Sequence, residues 1–164
     1  MKGKLGETVT YEWKFKIAKD FAPSKRFTHL HQIKSVDENP RCKPIFTLSA
    51  KRGKHDDDYF LLKHSSGKTA ETLAKLDLDL FRGKWVTVTE TIHYNRMNQG
   101  RYNIHITNSI TNQIILNYKN ATIKTWNDGA SFVRPKWGIY RSLLDNSYLK
   151  DEEVLFADFK IRKK

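Results

Sequence analysis

The dominant pattern along the chain is alternation of apolar and polar residues, which predicts β-strands. In the segment TVTYEWKFKI, the residues Tyr11, Trp13, Phe15 and Ile17 fall on one face, with polar residues between them. The segments KWVTVTETIHY and GRYNIHIT alternate in the same way, and a hairpin loop at MNQG joins them. Further strand candidates are RFTHLHQIKSV, PIFTLSA, NQIILNY, RPKWGIYRS and EEVLFADFKIR.

Helix signals are few in this sequence. The best of them is SSGKTAETLAKLDLDL, which fits equally well a loop that runs into a strand. Many short antiparallel strands with almost no helix favour a β-sandwich or jelly roll. No repeat, linker or low-complexity segment interrupts the chain. We therefore expect residues 1–164 to form one all-β domain with two antiparallel sheets.

The candidate strand RFTHLHQIKSV has one unusually polar face. Simple alternation places Gln32 and Lys34 on one face, and His29 and His31 with Ile33 on the other. Taken alone, the polar pair fits ordinary solvated positions, and one of the two histidines fits a hydrogen-bonded place in the core. The pattern does not decide between these interpretations and a ligand-binding face.

A second strand candidate, RPKWGIYRS, has a similar polar face. Alternation groups Lys136, Gly138 and Tyr140 on one side, whereas Trp137 and Ile139 are expected to pack inward. Lys136 and Tyr140 are four residues apart, which places them roughly 13 Å apart on an extended strand. The glycine between them leaves an open patch that a sugar ring or another backbone can approach closely.

The charge of the chain narrows its class of partner. Thirty Lys and Arg residues against eighteen Asp and Glu give a formal charge of +12 and a pI near 9.8. Such a field attracts polyanions, which include nucleic acids, acidic polysaccharides and anionic membranes. A single cysteine excludes an internal disulfide, and the sequence shows neither a signal peptide nor a transmembrane run. The protein is then either cytoplasmic or a trimmed form of a secreted one.

Several motifs occur in one order between about Tyr11 and Lys163: HQIK, GKWVTVTETIHY followed by GRYNIHIT, PKWGIYRS and LFADFKIRK. In this combination the chain resembles polysaccharide lyases with a concanavalin-like jelly roll. It is most similar to the glucuronan lyase family, and more distantly to the heparin lyase I and alginate lyase families. The resemblance implies a secreted, monomeric enzyme that cleaves a uronate polymer, with glucuronan as the expected substrate, by β-elimination.

The resemblance also implies roles for individual residues in three tasks: neutralising the substrate carboxylate, removing the C5 proton and protonating the leaving O4. Gln32 corresponds to the amide that binds the carboxylate, and Tyr140 to the tyrosine that protonates the leaving oxygen. Cations such as Lys136 and Arg141 would favour the phenolate of that tyrosine. The expected substrate-binding residues are Lys34, His31, Lys136, Arg141, Tyr148, Arg101, Asn103 and His105.

The sequence departs from the family in one respect. Family members carry a further strand before YEWKFKI that supplies an arginine or histidine to the site, and we expect this chain to lack that strand. The C5 base is then either missing or replaced by His31, His93 or His105. The chemistry requires no cofactor, although the resemblance implies a structural Ca²⁺ at Asp158 in the last strand.

Two other classes of protein share these features. A non-catalytic carbohydrate-binding module of the same fold needs the groove residues but no base, and it would yield no unsaturated product. A nucleic-acid-binding β domain explains the charge, but no RNP-like or OB-like pattern is present and the aromatic residues alternate inward. The expected partner is therefore an acidic polysaccharide, with neither nucleic acid nor membrane.

Overall fold

The structure is a computed structural model that describes residues 2–36, 43–54, 57–67, 69–144, 147 and 149–164. These residues contain ten β-strands and two short 3₁₀ helices, Leu78–Leu80 and Met97–Gln99. None of the described helices is long and apolar enough to cross a membrane. The strands are β1 (Thr8–Ile17), β2 (Thr28–Val36), β3 (Phe46–Lys51), β4 (Tyr59–Ser65), β5 (Ala70–Asp77), β6 (Val86–His93), β7 (Gly100–Asn108), β8 (Ile114–Ile123), β9 (Phe132–Arg141) and β10 (Val154–Lys163).

The strands form two antiparallel five-stranded sheets that pack face to face. The front sheet has the strand order β5-β4-β3-β2-β9, and the back sheet has the order β10-β1-β6-β7-β8. Strands β2 and β9 are adjacent although about a hundred residues separate them in sequence. The predicted all-β sandwich of two antiparallel sheets is thus confirmed.

The core lies between the two sheets and follows the predicted alternation. On β1 the side chains of Tyr11, Trp13 and Phe15 are at most 2% exposed. Phe15 stacks on Phe60 from the front sheet, with ring centroids 6.2 Å apart. Burying each such side chain stabilises the fold by about 1.5–3 kcal/mol. The aromatic residues of β1 therefore hold the back sheet against the front sheet.

Alternation fails at one point of β2, where a β-bulge interrupts the register. His29 pairs with Ser49 and His31 pairs with Leu48, so Leu30 has no partner on β3. Leu30 and His31 are both buried on the core side, whereas His29 faces outward with Gln32. The face predicted for His29 was therefore wrong, because an extra residue reverses the alternation of every position before it.

The region predicted as either a helix or a loop running into a strand is the edge strand β5, which pairs along its length with β4. Strand β4 itself was not predicted from the sequence. It is short and mostly buried, from Phe60 to Leu62, so it lacks the alternation that identifies half-exposed strands.

Candidate active site

The outer face of the front sheet carries a groove of about 590 Å³ over strands β2 and β9. The antiparallel pairing of β2 with β9 brings Gln32 and Lys34 onto the same face as Lys136 and Tyr140. A rim at Lys43 and Pro44 borders one side of the groove. The other side chains at the groove are His29 and, toward its floor, Leu30, His31, Trp137 and Ile139, together with Gly138.

Two cross-strand pairs define the geometry of the groove. Gln32 lies opposite Lys136, and His29 lies opposite Tyr140. Side chains of directly opposed residues have their Cβ atoms about 4.5–5.5 Å apart, so each pair can contact the same ligand. Gln32 is 8% exposed, whereas Tyr140 is 64% exposed. The amide thus lies in the floor of the groove and the phenol projects from its surface.

Gly138 separates the two pairs on β9. Its φ of +137° lies in a region that side-chain-bearing residues rarely adopt. A Cβ added there would meet no atom within 4 Å, so the glycine is required by its backbone conformation rather than by crowding. The open patch predicted between Lys136 and Tyr140 is present.

His29 is the groove residue that sequence reasoning missed. Its Nδ1 lies 2.7 Å from the hydroxyl of Ser49, and its ring centroid lies 6.0 Å from that of Tyr140. Burial, and secondarily the charge of Lys63, lowers the pKa of His29 from 6.5 to about 4. The imidazole is therefore neutral at neutral pH, and its Nδ1 is engaged by the Ser49 hydroxyl.

His31 lies beneath the groove with its ring turned into the core. Its side chain is 2% exposed, with Nε2 2.9 Å from Glu90 Oε2 and Nδ1 3.1 Å from the carbonyl oxygen of Lys136. The ring also packs 4.5 Å from that of Trp13. Both nitrogens are occupied by protein groups, so the substrate-binding role predicted for His31 does not fit its position.

Four further predicted residues, Arg101, Asn103, His105 and Arg141, lie away from the groove. Arg101, Asn103 and His105 alternate with buried residues on β7, so they face outward from the back sheet. Arg141 donates from Nη2 to the carbonyl oxygen of Lys150 at 2.6 Å and does not line the groove. Tyr148 lies outside the described residues.

The other histidine considered as a base, His93, lies at the end of β6 in the back sheet, where its Nδ1 lies 3.0 Å from Thr8 Oγ1. None of the three candidate bases named from the sequence therefore extends into the groove. The signal that would have identified His29 is the bulge at Leu30, which depends on the pairing of β2 with β3 and β9 rather than on the sequence of β2.

Asp158 does not fit the structural calcium site that the resemblance implied. Its carboxylate is exposed and lies 2.7 Å from Lys14 Nζ, and this ammonium lowers the pKa of the carboxyl. Among the residues that the structure describes, no group of three or more His, Cys, Asp or Glu side chains is placed to hold a metal ion. A bulge on β10, where Asp158 has a φ of +55°, accounts for its outward projection.

The two packed antiparallel sheets, with a groove on one outer face, define a jelly-roll β-sandwich protein. The family model described as "Polysaccharide lyase" matches residues 1–159, so the chain belongs to the polysaccharide lyase family. The family resemblance read from the motifs is thereby confirmed. A search of curated proteins by sequence finds no match.

Solved structures support the same fold. The endo-β-1,4-glucuronan lyase from the fungus Trichoderma reesei superposes with a TM-score of 0.62 at 12% identity, over 98% of this chain and 69% of that one. A variant of the alginate lyase Aly36B in complex with an alginate trisaccharide superposes with a TM-score of 0.68 at 14% identity, over 99% of this chain and 73% of that one. The alginate lyase from Aplysia kurodai superposes with a TM-score of 0.63 at 13% identity, over 100% of this chain and 72% of that one.

Proposed function

We propose that the groove cleaves a uronate-containing acidic polysaccharide by β-elimination, with glucuronan as the first substrate to test. The observation that carries the proposal is the juxtaposition of two cross-strand pairs, His29–Tyr140 and Gln32–Lys136, on one basic sheet face. Membership of the polysaccharide lyase family and likeness to a glucuronan lyase support it.

The substrate carboxylate is held by the amide of Gln32 and by the ammonium groups of Lys34 and Lys136. An N–H donor and two cations withdraw charge from the carboxylate, which makes the neighbouring C5 proton more acidic. Because Gln32 is largely buried in the groove floor, its hydrogen bond to a bound carboxylate is shielded from water and gains strength.

The proton transfers belong to the second pair. Nε2 of His29 removes the proton from C5, and the electron pair left behind forms the C4–C5 double bond. The C4–O4 bond then breaks, and the hydroxyl of Tyr140 donates its proton to O4. His29 takes up one proton and Tyr140 gives up one, so the step balances. The two groups then exchange protons with solvent before the next turnover.

The environment of His29 suits it to this role. A general base must be unprotonated before the reaction, and the pKa of about 4 keeps the imidazole neutral over the physiological range. The hydrogen bond between Nδ1 and Ser49 orients the ring. In the tautomer that donates this bond from Nδ1, the other nitrogen, Nε2, accepts the substrate proton. Polymeric uronates are extracellular materials, so we expect the protein to act outside the cell. We also expect it to act as a monomer.

The test is a panel of glucuronan, alginate and heparin-type polymers, with the ultraviolet absorbance of unsaturated uronate as the readout. We expect wild type to form this product from at least one polymer and Tyr140→Phe to form almost none. Absence of product from every polymer would overturn the proposal. Binding without product would instead identify a carbohydrate-binding module, which is the alternative that the sequence left open.

A further inference from the structure

The outer face of the front sheet has a second concavity at the opposite side from Tyr140. This distal pocket, of about 890 Å³, lies where β3, β4 and β5 meet. Among the residues that the structure describes, its lining holds five basic side chains and one carboxylate, which is an excess of positive charge. The charged residues are Lys25, Lys51, Arg52, Lys54, Lys75 and Asp57.

The distal pocket and the groove lie on one continuous row of the sheet. Successive Cα partners across β9, β2, β3, β4 and β5 are Tyr140, His29, Ser49, Leu61 and Lys75. Neighbouring strands are about 4.8 Å apart, so the row spans roughly 19 Å from end to end. A single extended polymer that crosses the strands can therefore reach both sites.

The surface between the two sites suits an anionic chain. The adjacent row runs from Lys136 through Gln32 and Thr47 to Lys63 and Thr72, so it contains a further cation on β4. Small hydroxyl side chains at Ser49 and Thr47 leave the middle of the face low. Lys63 is close enough to His29 for its charge to contribute, after burial, to the lowered pKa of that histidine.

One cation of the distal pocket is held in place before any ligand binds. The ammonium group of Lys75 lies 3.5 Å from the ring centroid of Tyr59, in a cation–π contact. Lys51 is the cross-strand partner of Tyr59, so it lies on the adjacent strand directly opposite that residue. Such pre-organisation reduces the entropy lost when an anion is bound.

We propose that the distal pocket binds anionic groups on sugar residues remote from the cleavage point, so that one chain occupies the face from Tyr140 to Lys75. This inference rests on the proposed function for the polymer class but concerns a separate set of residues. It predicts that long chains bind more tightly than short ones, because a short oligosaccharide in the groove cannot reach Lys51 or Lys75.

The experiment compares chain lengths in a Tyr140→Phe background, so that the ligand is not consumed. The probes are polyglucuronic acid and alginate, each as long polymer and as trisaccharide, with binding measured by calorimetry at two salt concentrations. The test variant adds Lys51→Gln and Lys75→Gln. The matched control adds Arg96→Gln and Lys119→Gln, which remove the same charge from exposed positions remote from the front-sheet face.

We expect the test variant to bind the better polymer about five- to tenfold more weakly, and the trisaccharide within about twofold, because two exposed ion pairs are lost only for the long chain. Its polymer affinity should also depend less steeply on salt. The control should match the parent, and melting curves should show that both variants fold.

Three results would overturn the inference: unchanged polymer affinity, an equal loss for polymer and trisaccharide, or no binding of either polymer by the parent. The proposed function is tested separately through wild-type turnover. Length-dependent binding without any unsaturated product would refute the lyase chemistry alone. Product formation with unchanged binding in the test variant would refute the distal pocket alone.

Discussion

His31 Nε2 lies 2.9 Å from Glu90 Oε2, and this buried pair joins the two sheets directly beneath the groove. His31 comes from β2 of the front sheet and Glu90 from β6 of the back sheet. The carbonyl oxygen of Lys136 can only accept, so Nδ1 of His31 must be protonated and donate to it. Tyr102 donates its hydroxyl proton to Glu90 Oε1 at 2.8 Å. The network thus ties the backbone of β9 beside Gly138 to the core.

The first prediction concerns the stability that this pair provides. Glu90→Ala should lower the free energy of unfolding by about 3–5 kcal/mol, because it leaves His31 and the Tyr102 hydroxyl buried without their partner. Glu90→Gln should recover most of the loss, since an amide can donate to a neutral His31 and still accept from Tyr102. Urea denaturation measures the free energy of unfolding of wild type and of the two variants.

The pair formed by the buried His64 and the exposed Glu71 supplies the control for that experiment. Glu71 Oε1 lies 3.0 Å from His64 Nδ1, but the glutamate is 65% exposed. Glu71→Ala should therefore cost less than about 1 kcal/mol. Equal losses for Glu71→Ala and Glu90→Ala would show that the buried pair has no special role.

The second prediction concerns Tyr140 as the general acid. Tyr140→Phe should lower kcat by about 10²–10⁴-fold, the usual contribution of a positioned proton donor, and leave polymer affinity within about threefold. The ring contacts with Phe27 and His29 do not need the hydroxyl, so the groove should keep its shape. Tyr118→Phe, on the back sheet, is the matched control and should keep full turnover. Retained activity in Tyr140→Phe would exclude the phenol as the acid.

The period-two pattern predicted the parts of the site that lie on regular strands. Lys136 and Tyr140 on β9, and Gln32 and Lys34 on the undisturbed part of β2, all line the groove as expected. His29 could not be assigned to this face, because the bulge at Leu30 is a property of strand pairing. A local pattern gives the relative faces of residues only as long as the strand remains regular.

Periodicity also cannot tell which sheet a strand joins. Arg101, Asn103 and His105 share a polar face just as regular as that of β9, yet β7 lies in the back sheet and its polar face points away from the groove. The pairing of β2 with β9 is a contact between distant segments, so no short stretch of sequence specifies it. The family resemblance implied that Gln32 and Tyr140 serve one site, which the alternation alone could not indicate.

The third prediction tests whether the polar face of β2 and β9, rather than the polar face of β7, binds the substrate. Lys34→Gln and Lys136→Gln should each raise KM for the cleaved polymer by about three- to tenfold, because each removes a cation from the carboxylate site. Arg101→Gln removes the same charge from the back sheet and should leave KM unchanged. Steady-state kinetics at low salt measure the three variants under conditions where screening is weakest. An increase in KM for Arg101→Gln similar to those of the lysine variants would show that only net charge matters.

The fourth prediction concerns the pH dependence that His29 confers. If its imidazole is the base, the acidic limb of the kcat/KM profile should fall near pH 4 rather than near 6.5, because the pKa in the folded protein is about 4. His29→Gln should lower kcat by about 10²-fold or more and remove that limb. His105→Gln, on the back sheet, should keep the wild-type profile. A wild-type limb near pH 6.5 would contradict the assignment.

The same pKa shift makes the stability of the fold depend on pH. At pH values above 6.5, His29 is neutral in both the folded and the unfolded chain, so its contribution is fully present. As the pH falls from 6.5 toward 4, the unfolded chain binds a proton that the folded chain does not, and the free energy of unfolding decreases by at most about 3 kcal/mol. His29→Gln lacks this titration, so the difference in unfolding free energy between wild type and variant should shift in favour of the variant over that window. Urea denaturation at a series of pH values measures the unfolding free energies of both proteins. A difference between them that does not change with pH would show that burial does not disfavour the charged imidazole.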